Sequence, residues 1–173
     1  SFNEYILNSS SGIIPETTSN RGIHYRGIVL GDENSSLVAL SIYKNELIGV
    51  ISTNELGDFN IGKLKNHDSH VVYNDANLLK NPTFECLSDV NNVDTQVENN
   101  TSQTKSNNPA DYCIDVYFEV DNEIYINEGS SIASAEAFVT GIFNQTAAIY
   151  QNESINVQIS EIFVWDTPDS YSN

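Results

Sequence analysis

The chain contains no methionine, and its 173 residues include only two cysteines, four prolines and seven lysines or arginines. Each scarcity excludes something. Seven basic residues against 24 acidic ones give a formal charge of −17. That argues against nucleic acid or anionic lipid as a partner, because phosphate contacts need Lys and Arg in quantity. No apolar run approaches the roughly 20 residues that span a bilayer. The first residues carry neither a basic n-region nor an apolar h-region. The lack of methionine predicts a processed or truncated piece of a longer product. Also missing are a Gly-rich phosphate loop, G-x-S-x-G, C-x-x-C and H-E-x-x-H. The 173 residues therefore hold no complete catalytic constellation.

What is present is enough to fold. Hydrophobic residues make up 39% of the chain and aromatics 10%, too many for a wholly disordered polymer. The charge is uneven: all seven basic residues lie in the first 105 positions, whereas residues 113–173 carry ten acidic residues and none basic. Over residues 1–84, short apolar or alternating runs at 2–7, 22–30, 37–43, 47–53, 59–64 and 71–73 are separated by polar turns such as Asn54-Glu55-Leu56-Gly57-Asp58. That spacing predicts an antiparallel meander, sandwich or partial barrel. Residues 85–112 are rich in Asn, Ser and Thr without either regular period, the pattern of a polar linker and a domain boundary.

From Cys113 onward the pattern becomes strand, helix, strand. Val116, Phe118 and Val120 alternate on one face of a strand over 114–120. Gly129-Ser130-Ser131 offers a cap region, and Ala135, Phe138, Val139, Ile142, Phe143, Ile149 and Tyr150 recur as a helical stripe. Asn152 is expected to end that helix in a left-handed conformation. Ile155, Val157 and Ile159 then begin a second strand that runs to Trp165. Two strands joined by a helix of about twenty residues make a right-handed parallel βαβ unit. The fold class expected is thus α+β: an antiparallel all-β domain over 1–84, a polar linker, and a βαβ segment over 113–173.

Candidates for chemistry are few. His67-Asp68-Ser69-His70 has the H-x-x-H spacing of a helical metal site, but it enters a strand, where residues three apart point to opposite faces. It is read as polar turn residues, and His24 as a structural aromatic in its strand. Asp121, Glu123 and Glu128 lack EF-hand spacing and read as a solvated acidic face. Cys86 and Cys113 bracket the linker, and three roles are open for them. They can close a disulfide loop of about 26 residues worth roughly 3 kcal/mol on the loop-entropy model. They can be free thiols. Alternatively, Cys86 can supply a thiolate to a metal held elsewhere.

The order of these parts resembles a known family. His24-Tyr25-Arg26-Gly27-Ile28-Val29-Leu30-Gly31, with the Ser35-Ser36 turn and the strand ending Leu40-Ser41, is similar to the propeptide of reprolysin-like (adamalysin and ADAM-type) zinc metalloproteases of the metzincin group. Gly49-Val50-Ile51, Phe59-Asn60-Ile61-Gly62-Lys63-Leu64 and His70-Val71-Val72-Tyr73 look like its following strands. Ile114-Asp115-Val116-Tyr117-Phe118-Glu119-Val120 resembles the opening strand of the catalytic domain, and Val164-Trp165-Asp166-Thr167-Pro168 is similar to secreted proteases of Bacteroidetes-like bacteria.

The resemblance implies a zymogen fragment of a secreted, bacterial zinc metalloendopeptidase. Residues 1–84 would be the inhibitory propeptide in intramolecular contact with the catalytic domain, and 113–173 the first part of that domain. Proteins or peptides would be the substrates. The zinc ligands, in an H-E-x-x-H-x-x-G-x-x-H motif, would lie outside this chain. Cys86 falls where the family carries its cysteine switch, a propeptide thiolate on zinc, and Asp115 stands where some relatives bind calcium. A different class is also expected to fit the β region, a non-catalytic extracellular binding or adhesion module.

Overall fold

A computed structural model describes residues 4–14, 20–79 and 113–171. Two sheets share one helix. The antiparallel meander expected from the turn spacing is present as β3 (Ile23–Gly27), β4 (Leu37–Tyr43), β5 (Glu46–Thr53), β6 (Gly57–Lys63) and β7 (His70–Asn74), hydrogen-bonded in chain order. The polar turns at Lys44-Asn45 and Asn54–Leu56 fix its register, pairing Tyr43 with Glu46 and Thr53 with Gly57. Because the side-chain period is two, Ala39, Ser41 and Tyr43 of β4 face one side together with His24 and Arg26 of β3.

The second sheet has the order β2-β1-β9-β8, where β1 is Ile6–Ser9, β2 Gly12–Ile13, β8 Cys113–Val120 and β9 Asn156–Val164. Strands β8 and β9 run parallel and are joined through α2 (Ile132–Asn152), as the βαβ pattern requires. The mixed α+β architecture expected from the sequence is therefore present. Three features differ from the expected pattern. A short helix α1 (Asn122–Asn127) follows β8, with Asp121 capping it by accepting from Ile124 N at 2.7 Å. The left-handed residue after α2 is Ser154 (φ 59°), with Asn152 still helical and Glu153 at the cap. The N-terminal strand β1 does not join the meander. It adds to β9 in parallel, pairing Leu7 with Ile162 and Ser9 with Val164.

That last pairing bears on organisation. Residues on both sides of 80–112 share one sheet and one helix, so their packing is continuous across the expected boundary. The stretch 85–112 itself lies outside the described residues. The main core sits between the parallel sheet and α2. Ala135, Val139, Phe143 and Ala147 of α2 meet Val120, Val157, Ile159, Ile162 and Val164 of the strands, with Tyr5 and Leu7 closing one side. Phe118 and Phe143 pack edge to face at 5.8 Å. Each fully buried aliphatic or aromatic side chain contributes about 1.5–3 kcal/mol.

Candidate functional site

The concentration of buried polar groups lies on the other face of α2. Glu136, Thr140 and Asn144, at i, i+4 and i+8, form one stripe down the helix, and all three are 0% exposed. They meet β3, β4 and the segment just before β3. The helix approaches closely at Gly141, where a Cβ would stand 3.2 Å from Ile48 Cδ1 and 3.5 Å from the Tyr43 hydroxyl oxygen.

Each member of the stripe has its partners. Glu136 accepts from the Tyr5 hydroxyl at 2.6 Å and from the Asn20 amide at 2.5 Å. The Thr140 hydroxyl has one hydrogen, which its bond to Glu136 O uses at 2.8 Å. Tyr43 is therefore the donor in the 2.8 Å contact with Thr140 Oγ1. Asn144 accepts from Arg26 Nε at 2.9 Å and donates to Leu40 O at 3.1 Å and Tyr25 O at 3.2 Å. Arg21 stacks over the Tyr5 ring at 4.7 Å, a cation–π contact.

Electrostatics follow from burial. Burial raises Tyr5 far above the ordinary phenol value, assisted by the Glu136 hydrogen bond and charge. Burial also pushes Tyr43 up to about 12. Both phenols stay protonated at physiological pH and act as donors. His24 is held below the ordinary imidazole value by burial, with the Arg26 charge adding to it and the hydrogen bond to Arg21 O opposing. Its Nε2 lies 2.7 Å from Arg21 O, an acceptor, so Nε2 carries the proton of the neutral ring. Nδ1 then accepts from the Ser41 hydroxyl at 2.9 Å.

This seam recognises one layer by the other. Its carboxylate, hydroxyls and amide are paired with groups of the protein and are out of reach of solvent, the arrangement that fixes register between packed elements. Of the candidates for chemistry read from the sequence, His24 belongs to it, and Tyr25, Arg26, Leu40 and Ser41 of the resembling strands line it. The role of His24 is structural, as expected, and it packs edge to face on Tyr43 at 5.9 Å. His67 and His70 do not converge. His67 lines an open cleft of about 560 Å³ with Glu46, Lys65, Asp68 and Glu128, whereas His70 Nε2 accepts from the Leu47 amide at 3.0 Å. In that cleft burial raises Glu128, the Glu46 charge adding and Lys65 opposing.

Asp115 sits exposed on β8 and accepts from Gln158 Nε2 at 2.6 Å. Cys113 is an exposed free thiol at the start of β8, and Cys86 lies outside the described residues. Among the described residues no three His, Cys, Asp or Glu side chains stand together so as to hold a metal ion. No described helix is long and apolar enough to cross a membrane.

The sequence reading missed Glu136, Thr140 and Asn144, although their spacing was visible. Polar or small residues recur at 136, 140, 141 and 144 on the side of α2 away from Ala135, Val139 and Phe143. Comparison with protein-family models, with curated proteins and with solved structures finds no match to this chain.

Proposed function

We propose that this chain is the latency-bearing part of a secreted zinc metalloendopeptidase precursor of bacterial type. In this reading the antiparallel sheet is the propeptide, and the segment from Cys113 opens the catalytic domain. Support comes from the ordered resemblance of the strands at 23–43, 46–64, 70–73 and 114–165. The structural observation that carries the reading is the closure of α2. A helix in a βαβ unit buries one face on its own sheet, and here the antiparallel sheet covers the other face through the Asn144, Thr140 and Tyr43 contacts. A segment that inhibits and later leaves needs such a complementary, largely polar contact. Cys86 is the candidate thiolate for latency. Peptide hydrolysis itself belongs to residues outside these 173.

The test uses the open reading frame that contains this sequence. The reading expects H-E-x-x-H within about one further domain length, ~150 residues. It also expects chelator-sensitive hydrolysis of a peptide substrate once the chain is cut within 85–112 and the cut N-terminal piece is displaced from α2. A frame without that motif, or full activity with the 85–112 segment intact, overturns it. One observation favours the other class, an extracellular β-rich binding or adhesion module: the side of the antiparallel sheet away from α2 is apolar. The same reading frame separates the two.

A further inference from the structure

Strand register defines the outer face of the five-stranded sheet. Ile23 pairs with Ile42, Tyr25 with Leu40, Val38 with Ile51, Ile51 with Phe59, and Ile61 with Val72. All of these side chains lie on one side, opposite Ala39, Ser41 and Tyr43. Ile23 is 57% exposed, Tyr25 55% and Val72 60%, although each sits in a regular strand. Among the described elements, the one that packs broadly on this sheet is α2, and it lies on the opposite face. Lys63 is the one charged strand residue on the outer face, and it pairs with Asp68 at 3.5 Å.

We infer that this outer face is a self-association surface that takes a second copy of the chain, sheet against sheet. Area supports that occupant. Five strands about 4.8 Å apart and about six residues long present roughly 500 Å² of plan area. That plan area also takes in Thr53, Lys63, His70 and Asn74 at the margins, and the apolar centre falls within the range of the largest apolar patches on monomers, ~300–600 Å². Two such faces give about 1,000 Å² before side-chain relief is added, and stable interfaces bury ~1,200–2,000 Å² in total. Shape supports it as well, since twisted sheets pack face to face about 10 Å apart with their strands within ~30°. A two-fold axis makes the contact self-complementary and closed.

Charge supports it too. Residues 20–79 carry seven acidic and five basic side chains, whereas residues 113–171 carry ten acidic and none basic. Pairing through the outer face places the two strongly acidic segments at opposite ends. Their repulsion is then screened over more than the ~8 Å Debye length of physiological salt. A second copy docking through the parallel sheet would bring them together. This inference does not rest on the protease reading.

Sedimentation equilibrium of the 173-residue chain, from about 1 to 200 μM, tests it. The expected result is a reversible monomer–dimer equilibrium with a dimer of twice 19.2 kDa. Val72→Lys and Ile23→Lys, on opposite edge strands, are each expected to shift the midpoint at least tenfold with the far-UV CD spectrum unchanged. Tyr117→Lys, on the parallel sheet, is expected to leave it in place. A monomer throughout, open-ended aggregates, or a dimer sensitive to Tyr117→Lys alone overturns the inference. Should the lysine variants lose their fold, dye binding by the wild type decides. Fluorescence of an apolar probe per chain must fall as concentration crosses the midpoint, and a constant value overturns the inference.

Discussion

Asn144 Oδ1 accepts a 2.9 Å hydrogen bond from Arg26 Nε, which ties the middle of α2 to the edge strand of the antiparallel sheet. The opposite side of the same amide donates to two strand carbonyls, Tyr25 O and Leu40 O. Carbonyls only accept and a guanidinium only donates, so the partners fix which way the amide points. One fully buried side chain thereby reads two adjacent strands at once.

That geometry makes Asn144→Asp more damaging than truncation. The carboxylate keeps the acceptor for Arg26 but turns an oxygen toward Tyr25 O and Leu40 O, two acceptors, in a site without solvent. The expected loss is about 3–5 kcal/mol, against about 2–4 kcal/mol for Asn144→Ala, which removes the hydrogen bonds without adding repulsion. Urea denaturation at pH 7.5 measures both. A loss under about 1 kcal/mol in either variant shows that the layers are held by something other than this hub.

Stability is expected to fall on mild acidification because of His24. Its folded value lies below the ordinary 6.5, so between the two values the unfolded chain binds the extra proton and the folded chain does not. Stability therefore falls as pH drops below about 6.5 and levels off below the folded value. Burial and the Arg26 charge on the same face carry that sign, and the hydrogen bond from Nε2 to the Arg21 carbonyl opposes it without reversing it. Denaturation midpoints measured from pH 7.5 to 5.0 check it. His24→Gln, which does not titrate, is expected to flatten the slope over that window, and an unchanged slope assigns it to other groups.

The meander, α2 and the parallel pairing of β8 with β9 were legible because each follows from a local period and a turn. Residues 37–43 form a short apolar run interrupted at Ser41, and the polar Lys44-Asn45-Glu46 that follows is a turn signal. The placement of β1 was not legible. The run at 2–7 is as short and apolar as those of the other strands, and nothing local distinguishes an antiparallel neighbour from a parallel partner more than 150 residues away. The polar seam was hidden for a related reason. A helix stripe of Ala135, Val139 and Phe143 predicts one buried face, and Glu136, Thr140 and Asn144 then read as the solvent side. Only the second sheet, brought to that side by tertiary packing, turns them into a buried recognition surface. His67 and His70 do not converge, as their reading as polar turn residues expects, because His67 lies in the bend before β7 and His70 opens that strand.

A chain cut between residues 80 and 112 is expected to remain one particle. The N-terminal piece contributes β1 to the parallel sheet, where Tyr5 and Leu7 enter the core formed by Val139, Phe143 and Ile162. It also contributes the strands that hold Asn144 and Thr140. Two buried side chains at about 1.5–3 kcal/mol each, the four residue pairs of β1 with β9 and the seam stand against an association cost of about 4–15 kcal/mol. The balance favours a complex that persists at micromolar concentration. A specific protease site placed within 80–112 permits the cut, and size-exclusion chromatography before and after cleavage reads the outcome. Co-elution in buffer and separation in urea are expected. Leu7→Ala, which removes an anchor shared by the two pieces, is expected to weaken the nicked complex more than the intact chain, because in the intact chain the covalent link keeps the effective concentration of the two halves high. Immediate separation in buffer would mean that the link through 80–112, and not the β1–β9 pairing with the α2 seam, holds the layers together.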